Sequence, residues 1–278
     1  VKTAKFVIGG ICVVLASGAR AQEPSADDVL TPPADRWTIR FEPSAWYAAP
    51  GGEARLPGSS AKVQFIDLNL DQPRLAPYGE LHFRNGDFRV SLSGFSVSLD
   101  DVATVVSAPM QIGSVAVGAG DLVVSSVSIT SGELVGAMQI GSPRGLDGKV
   151  NGDFALSFEL LGGVRMYHVD LSFAAPAGRI EADEFFLTPV VGVKSTINVH
   201  ERFDIDLQVM GGALPVGGGR AAFCMEILNG YVYRPVPNVG VQIGYRLSYC
   251  SLEDGEGISA FEYSGAVAGV FAGVVVRF

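Results

Sequence analysis

The residues of this 278-residue chain that could do chemistry are three histidines, two cysteines beyond the N-terminal segment, and acids and arginines at alternating positions. His168, Asp170 and Ser172 are spaced by two, so in an extended strand they share a face. Together they could supply a base, an orienting acid and a nucleophile. The same spacing arises freely in a serine-rich chain, and side chains held in a polar network are the plainer reading, so no catalytic residue is assigned. His82 lies between Glu80 and Arg84 at alternate positions, and His200 stands two residues before Arg202. Neither a histidine nor a third cysteine stands at ligand spacing from Cys224 and Cys250, so no metal centre and no cofactor site is expected. Gly217, Gly218 and Gly219 neither lead from a strand into a helix nor carry the Lys-Ser/Thr of a phosphate loop.

These residues must be positioned by strands, because the chain alternates. Ten are expected, at 37–48, 78–84, 87–99, within 121–140, 153–173, 184–199, 203–209, 220–233, 239–250 and 261–278. The seventh is the plainest: Phe203, Ile205, Leu207 and Val209 alternate with Arg202, Asp204, Asp206 and Gln208. Asn85-Gly86 marks a two-residue hairpin. Pro43 implies a bulge or an edge-like position in the first strand. In the third strand the apolar set moves from Phe88, Val90 and Leu92 to Phe95, Val97 and Leu99; in the fifth it moves to Tyr167, Val169, Leu171 and Phe173. Both shifts read as bulges, at Gly94 and at Gly162-Gly163. Long connections at 49–77 and 100–120 alternate with tighter turns. Residues 61–70 and 110–118 are ambiguous, so eight or twelve strands stay open.

Cys224 and Cys250 lie symmetrically about a turn near residue 237, which sets them nearly opposite each other on adjacent antiparallel strands. A cross-strand disulfide near one rim is expected; two free, buried thiols are the alternative.

The N-terminal residues have the form of a secretory signal peptide. Lys2 and Lys5 precede an apolar run from Phe6 to Ala16, and Ala19-Arg20-Ala21 suits cleavage before Gln22. Residues 22–35 read as a disordered lead-in and 36–278 as one β domain. The formal charge of −9 becomes −12 once residues 1–21 take away Lys2, Lys5 and Arg20 and no acid. No basic patch with interleaved aromatics exists, which excludes a nucleic-acid partner.

The last stretch, GAVAGVFAGVVVRF, ends on Phe278 with Val276, Val274, Ala272, Val270 and Ala268 at every second place before it. In this it resembles the closing strand of small bacterial outer-membrane β-barrels, of the OmpA/OmpW-like kind. That resemblance implies an all-β, up-and-down transmembrane barrel. It also implies export to the outer membrane, contact with outer-membrane lipid, and recognition of the terminal strand by the barrel-assembly machinery. A soluble secreted β-sandwich is the alternative architecture. In a barrel, an Arg or Lys at mid-membrane on the lipid face costs about 2–4 kcal/mol. Arg40, Glu42, Glu80, His82, Arg84, Arg89, Glu159, Asp204, Asp206, Glu226 and Arg246 are therefore assigned to the lumen, paired across a narrow interior. The expected role is structural or surface-binding through outer loops, with an unknown ligand. A narrow channel for small solutes is the alternative, and an outer-membrane lipid hydrolase a more distant one.

Overall fold

The computed structural model of the chain describes residues 37–140, 154–199, 202–216 and 219–278. The segments read as signal peptide and lead-in lie outside them, as do His200, Gly217 and Gly218. The strands are β1 (Thr38–Arg55), the two-residue β2 (Val63–Gln64), β3 (Arg74–Asn85), β4 (Phe88–Val105), the short β5 (Met110–Ile112) and β6 (Val115–Val117), β7 (Leu122–Gln139), β8 (Phe154–Ala175), β9 (Gly178–Val199), β10 (Phe203–Val216), β11 (Arg220–Val236), β12 (Val239–Asp254) and β13 (Phe261–Arg277). Each long strand pairs antiparallel with the next long strand, and β13 pairs with β1. The closure is sealed at its lower end, where the Phe278 amide donates to the Ile39 carbonyl (2.9 Å) and the Ile39 amide to the Phe278 carbonyl (3.2 Å). A closed ten-stranded ring removes every lower edge, which an apolar solvent requires.

The register gives the size of the ring. From Ile39 the partners run through Phe83, Val90, Gly136, Gly162, Val191, Gly211, Met225, Tyr249 and Ala266, and return to β1 at Gly51, twelve residues above the start. Ten strands with that stagger tilt by roughly 40° and enclose a backbone radius of about 10 Å. Such an interior is filled by side chains.

The long strands extend beyond their expected bounds: β1 runs on to Arg55 and β3 begins at Arg74. The ambiguous segments do not join the ring. Residues 63–68 form β2 and a short 3-10 turn, and residues 110–117 form a separate hairpin. The turn between β8 and β9 is also tight, so the outer connections are not uniformly long.

Of the three expected irregularities, the two glycine bulges are absent and the one at Pro43 is a local gap in pairing. The ladders run through Gly94 and through Gly162 and Gly163 without a register shift. At Pro43 the β1–β13 ladder omits Glu42 and Pro43 and resumes at Ser44–Gly273 in the same register, while Pro43 still faces Gly79 of β3. One missing N–H is accommodated without a bulge. Register shifts do occur in β4 between Leu99 and Val102, and in the β11–β12 pair between Tyr233 and Val236.

Without bulges, the change of apolar parity must be a change of surroundings. On β8, Phe158, Leu160, Val164 and Met166 point out and are exposed, and the same parity continues as His168, Asp170 and Ser172. The inward parity changes from Glu159 and Arg165 to Tyr167, Val169, Leu171 and Phe173, all buried. β4 and β7 repeat the pattern: Leu92 and Leu134 are exposed, whereas Phe95, Val97, Leu99, Val127 and Ile129 are buried. The lower part of the ring presents an apolar surface, and the upper part of β4, β7, β8 and β9 presents a polar one. An apolar belt about 25 Å tall is what hydrocarbon demands. Above it the outer solvent is water, so the apolar side chains turn inward.

Residues 56–73 close the upper end from inside. Leu56, Phe65, Leu68 and Leu70 are buried there, and the Phe65 and Tyr263 rings lie 5.7 Å apart. Thr104 Oγ1 donates to the Leu68 carbonyl (2.9 Å), Asn69 Nδ2 to Thr104 Oγ1 (3.1 Å), and the Gly58 amide to the Ile258 carbonyl (2.7 Å). The β5–β6 hairpin packs Ile112, Val115 and Val117 into the same core. Its Gly113 turns at φ +52°, where an added Cβ would collide with the Ile180 side chain and the Pro57 carbonyl.

Candidate functional site

The lumen holds three tiers of charge beneath this apolar cap. The lowest is built on Asp204, which accepts from Arg234 Nη2 (2.7 Å) and Asn198 Nδ2 (2.5 Å), with Arg277 Nη2 at 3.6 Å.

The middle tier surrounds His82. Its Nδ1 lies 2.8 Å from Ser91 Oγ and 3.0 Å from Arg89 Nη1. Arginine only donates, so Nδ1 accepts and the ring proton sits on Nε2. Nε2 faces Glu80 (3.0 Å) and Glu42 (3.1 Å). Arg40 pairs with Glu42, and Tyr78 donates to Glu80. Lys194 pairs with Asp206 (3.1 Å), and Arg84 (3.2 Å) and Arg89 (2.5 Å) share Glu159. The Glu42, Glu80 and His82 ligand atoms lie within 4.8 Å of one another, a spacing a metal ion could bridge.

The upper tier crosses the lumen from β7 to β12. Arg165 donates through Nε to Glu133 Oε2 (2.6 Å) and lies 2.9 Å from Glu226, which also accepts from Arg246 Nη2 (2.7 Å). Tyr167 and Ser248 hydroxyls meet at 3.0 Å. The Arg246 guanidinium lies 4.4 Å from the Tyr78 ring centroid, 5.1 Å from Phe95 and 5.8 Å from Trp46. This cation–π contact joins the last charge to the apolar cap. Buried ions need partners, and here each tier supplies both signs.

The structure brings Arg40, Glu42, Glu80, His82, Arg84, Arg89, Glu159, Asp204, Asp206, Glu226 and Arg246 together in this interior. The sequence reading lacked Glu133, Arg165, Lys194 and Arg234. A constant parity along β8 from Glu159 would have found Arg165; the assumed bulge at Gly162-Gly163 hid it. Trp46 stands inside, fully buried, while Trp37 and Tyr47 point outward.

Cys224 and Cys250 are register partners two residues above Glu226 and Ser248, and both are free, buried thiols. The expected disulfide is not formed; each thiol packs as a small apolar side chain in the inner layer. His168 lies on the outer wall with Nε2 2.5 Å from Asp183 of β9, so its partner is not Asp170 or Ser172 of its own strand. Val274 lies on the lipid face of β13, Val276 beside Phe41 of β1, and Phe278 at the lower closure.

No protein-family model and no curated protein matches the sequence. Solved structures show a distant likeness. The outer membrane protease OmpT from Escherichia coli has a TM-score of 0.45 at 10% identity, covering 87% of this chain and 97% of that one. Neisserial surface protein A has 0.36 at 14%, covering 86% and 97%. The attachment invasion locus protein Ail of Yersinia pestis has 0.32 at 13%, covering 86% and 99%. Placement in the membrane rests on the molecule's own surface. A closed ring with an apolar belt outside and paired charge inside has the build of a membrane-spanning β-barrel.

Proposed function

We propose that this barrel is a closed, non-conducting membrane anchor that acts through its upper rim, in a structural or surface-binding role. The observation that carries the reading is the sealed interior. Paired charges span the lower lumen, and above them Leu56, Phe65, Leu68 and Leu70 of the connection between β1 and β3 are fully buried. A conducting path would have to cross charges bonded to one another and then an apolar core, each a barrier to a hydrated solute. What stands free is the polar wall of β4, β7, β8 and β9 above the lipid belt. The protein folded into a planar bilayer, with folding verified by the heat-dependent gel shift, is expected to be electrically silent. Steady discrete openings would overturn the reading in favour of a narrow channel.

A further inference from the structure

The β9–β10 ladder ends at Val191–Gly211, yet both strands continue upward. β10 runs to Val216 paired only with β11, and β9 runs to Gly178 paired only with β8. Among the described residues, residues 178–185 of β9 therefore have a neighbour on one side alone. Where this free edge meets the ring, the Arg220 guanidinium takes the place of a strand: it donates to the Phe185 carbonyl and sits 5.1 Å from the Phe186 ring. A small apolar hollow lined by Phe185, Leu187, Leu214 and Ala222 opens at the same foot.

The edge is acidic. Glu181 and Asp183 point outward, with Arg179 paired to Glu181 (2.6 Å) and His168 to Asp183. Asp170 stands directly across from Asp183 on β8. Partial burial and the Asp183 carboxylate push the Asp170 carboxyl up. Partial burial and the facing Asp254 carboxyl push Glu184 up in the same way. Crowded carboxylates repel one another and favour an incoming cation. The inward parity of the same stretch is Ile180, Ala182 and, at its foot, Glu184.

We propose that residues 178–185 of β9 are a docking edge for an extended basic peptide, which adds to the sheet as a further strand. Main-chain hydrogen bonds supply the attachment. The side-chain alternation sets the preference: basic residues outward beside Glu181 and Asp183, apolar ones inward over Ile180 and Ala182. The inference rests on the reading of the barrel as a closed anchor that works through its rim, and names the partner of that rim.

The test uses the full folded barrel in non-ionic detergent and a fluorescent alternating Lys-Val octapeptide. Saturable binding is expected, weakened at least tenfold by E181K combined with D183K and lost when alternate peptide amides are N-methylated, which leaves the charge intact. Alternate amide protons of residues 178–185 are expected to exchange fast in the free protein and to be protected by the peptide. Equal binding of the N-methylated peptide would overturn the proposal, showing adhesion by charge alone. So would no binding, or full protection of those amides without peptide. The variants are exposed and their folding is checked by the gel shift. Bilayer conductance, measured in parallel, bears on the closed-anchor reading separately: a silent barrel that ignores the peptide removes only the docking edge.

Discussion

The lower and upper halves of β8 are one continuous strand with opposite rules. Below Tyr167, apolar side chains face out and Glu159 and Arg165 face in; above it, Val169, Leu171 and Phe173 face in and His168, Asp170 and Ser172 face out. No residue is inserted between the halves, since the ladders to β7 and β9 keep one register throughout. The backbone is indifferent to the change. What differs is the solvent outside: hydrocarbon below, water above. A strand of 22 residues is longer than a bilayer needs, and the excess folds by the rules of a soluble β-protein.

The largest effect should come from breaking the lower interior. Arg165→Ala leaves Glu133 and Glu226 buried without their shared partner, and is expected to cost about 3–5 kcal/mol. A lowered urea midpoint for loss of the heat-modifiable band measures it. The outward face of β8 gives the sharper comparison. Leu160→Arg places a charge in the lipid belt, at a cost of about 2–4 kcal/mol. Ser172→Arg, on the same strand and parity, stands in water opposite Glu181 and is expected to change stability by less than about 0.5 kcal/mol. Equal costs at the two positions would erase the distinction between the halves. The smallest effect is optical. The chain has two tryptophans, Trp37 exposed at the lower end and Trp46 fully buried in the lumen. Brominated lipid should quench the wild type in part and leave the Trp37→Phe variant, which retains only Trp46, nearly unquenched.

The inversion also explains which parts of the molecule could be read from residue order. Ten alternating segments and the Asn85-Gly86 turn mark the strands, because period-two alternation survives whichever way the faces point. Their count stays open between eight and twelve in the sequence, and the fold closes it by leaving residues 63–68 and 110–117 outside the ring. The inward placement of Asp204 and Asp206 follows from the penalty on charge in lipid. The same reasoning failed above the belt. Phe95, Val97 and Leu99 look like a lipid face displaced by one residue, and a bulge at Gly94 is the local explanation. A local pattern carries the contrast between two faces and not the identity of the medium beyond each.

Sequence by itself determined the alternation, the turns and the sign of every charge that would have to be paired. Only the tertiary structure decided which charges meet, since Arg165 and Glu226 stand on different strands and become neighbours through a twelve-residue stagger around the ring. It also decided where the membrane stops. That level is a property of the closed barrel, set by strand tilt and by the height at which apolar side chains leave the outside. The free edge of β9 has the same origin: β10 ends at Val216 and β11 begins at Arg220, while β9 continues to Gly178 with nothing in its own sequence to show that its neighbour has gone.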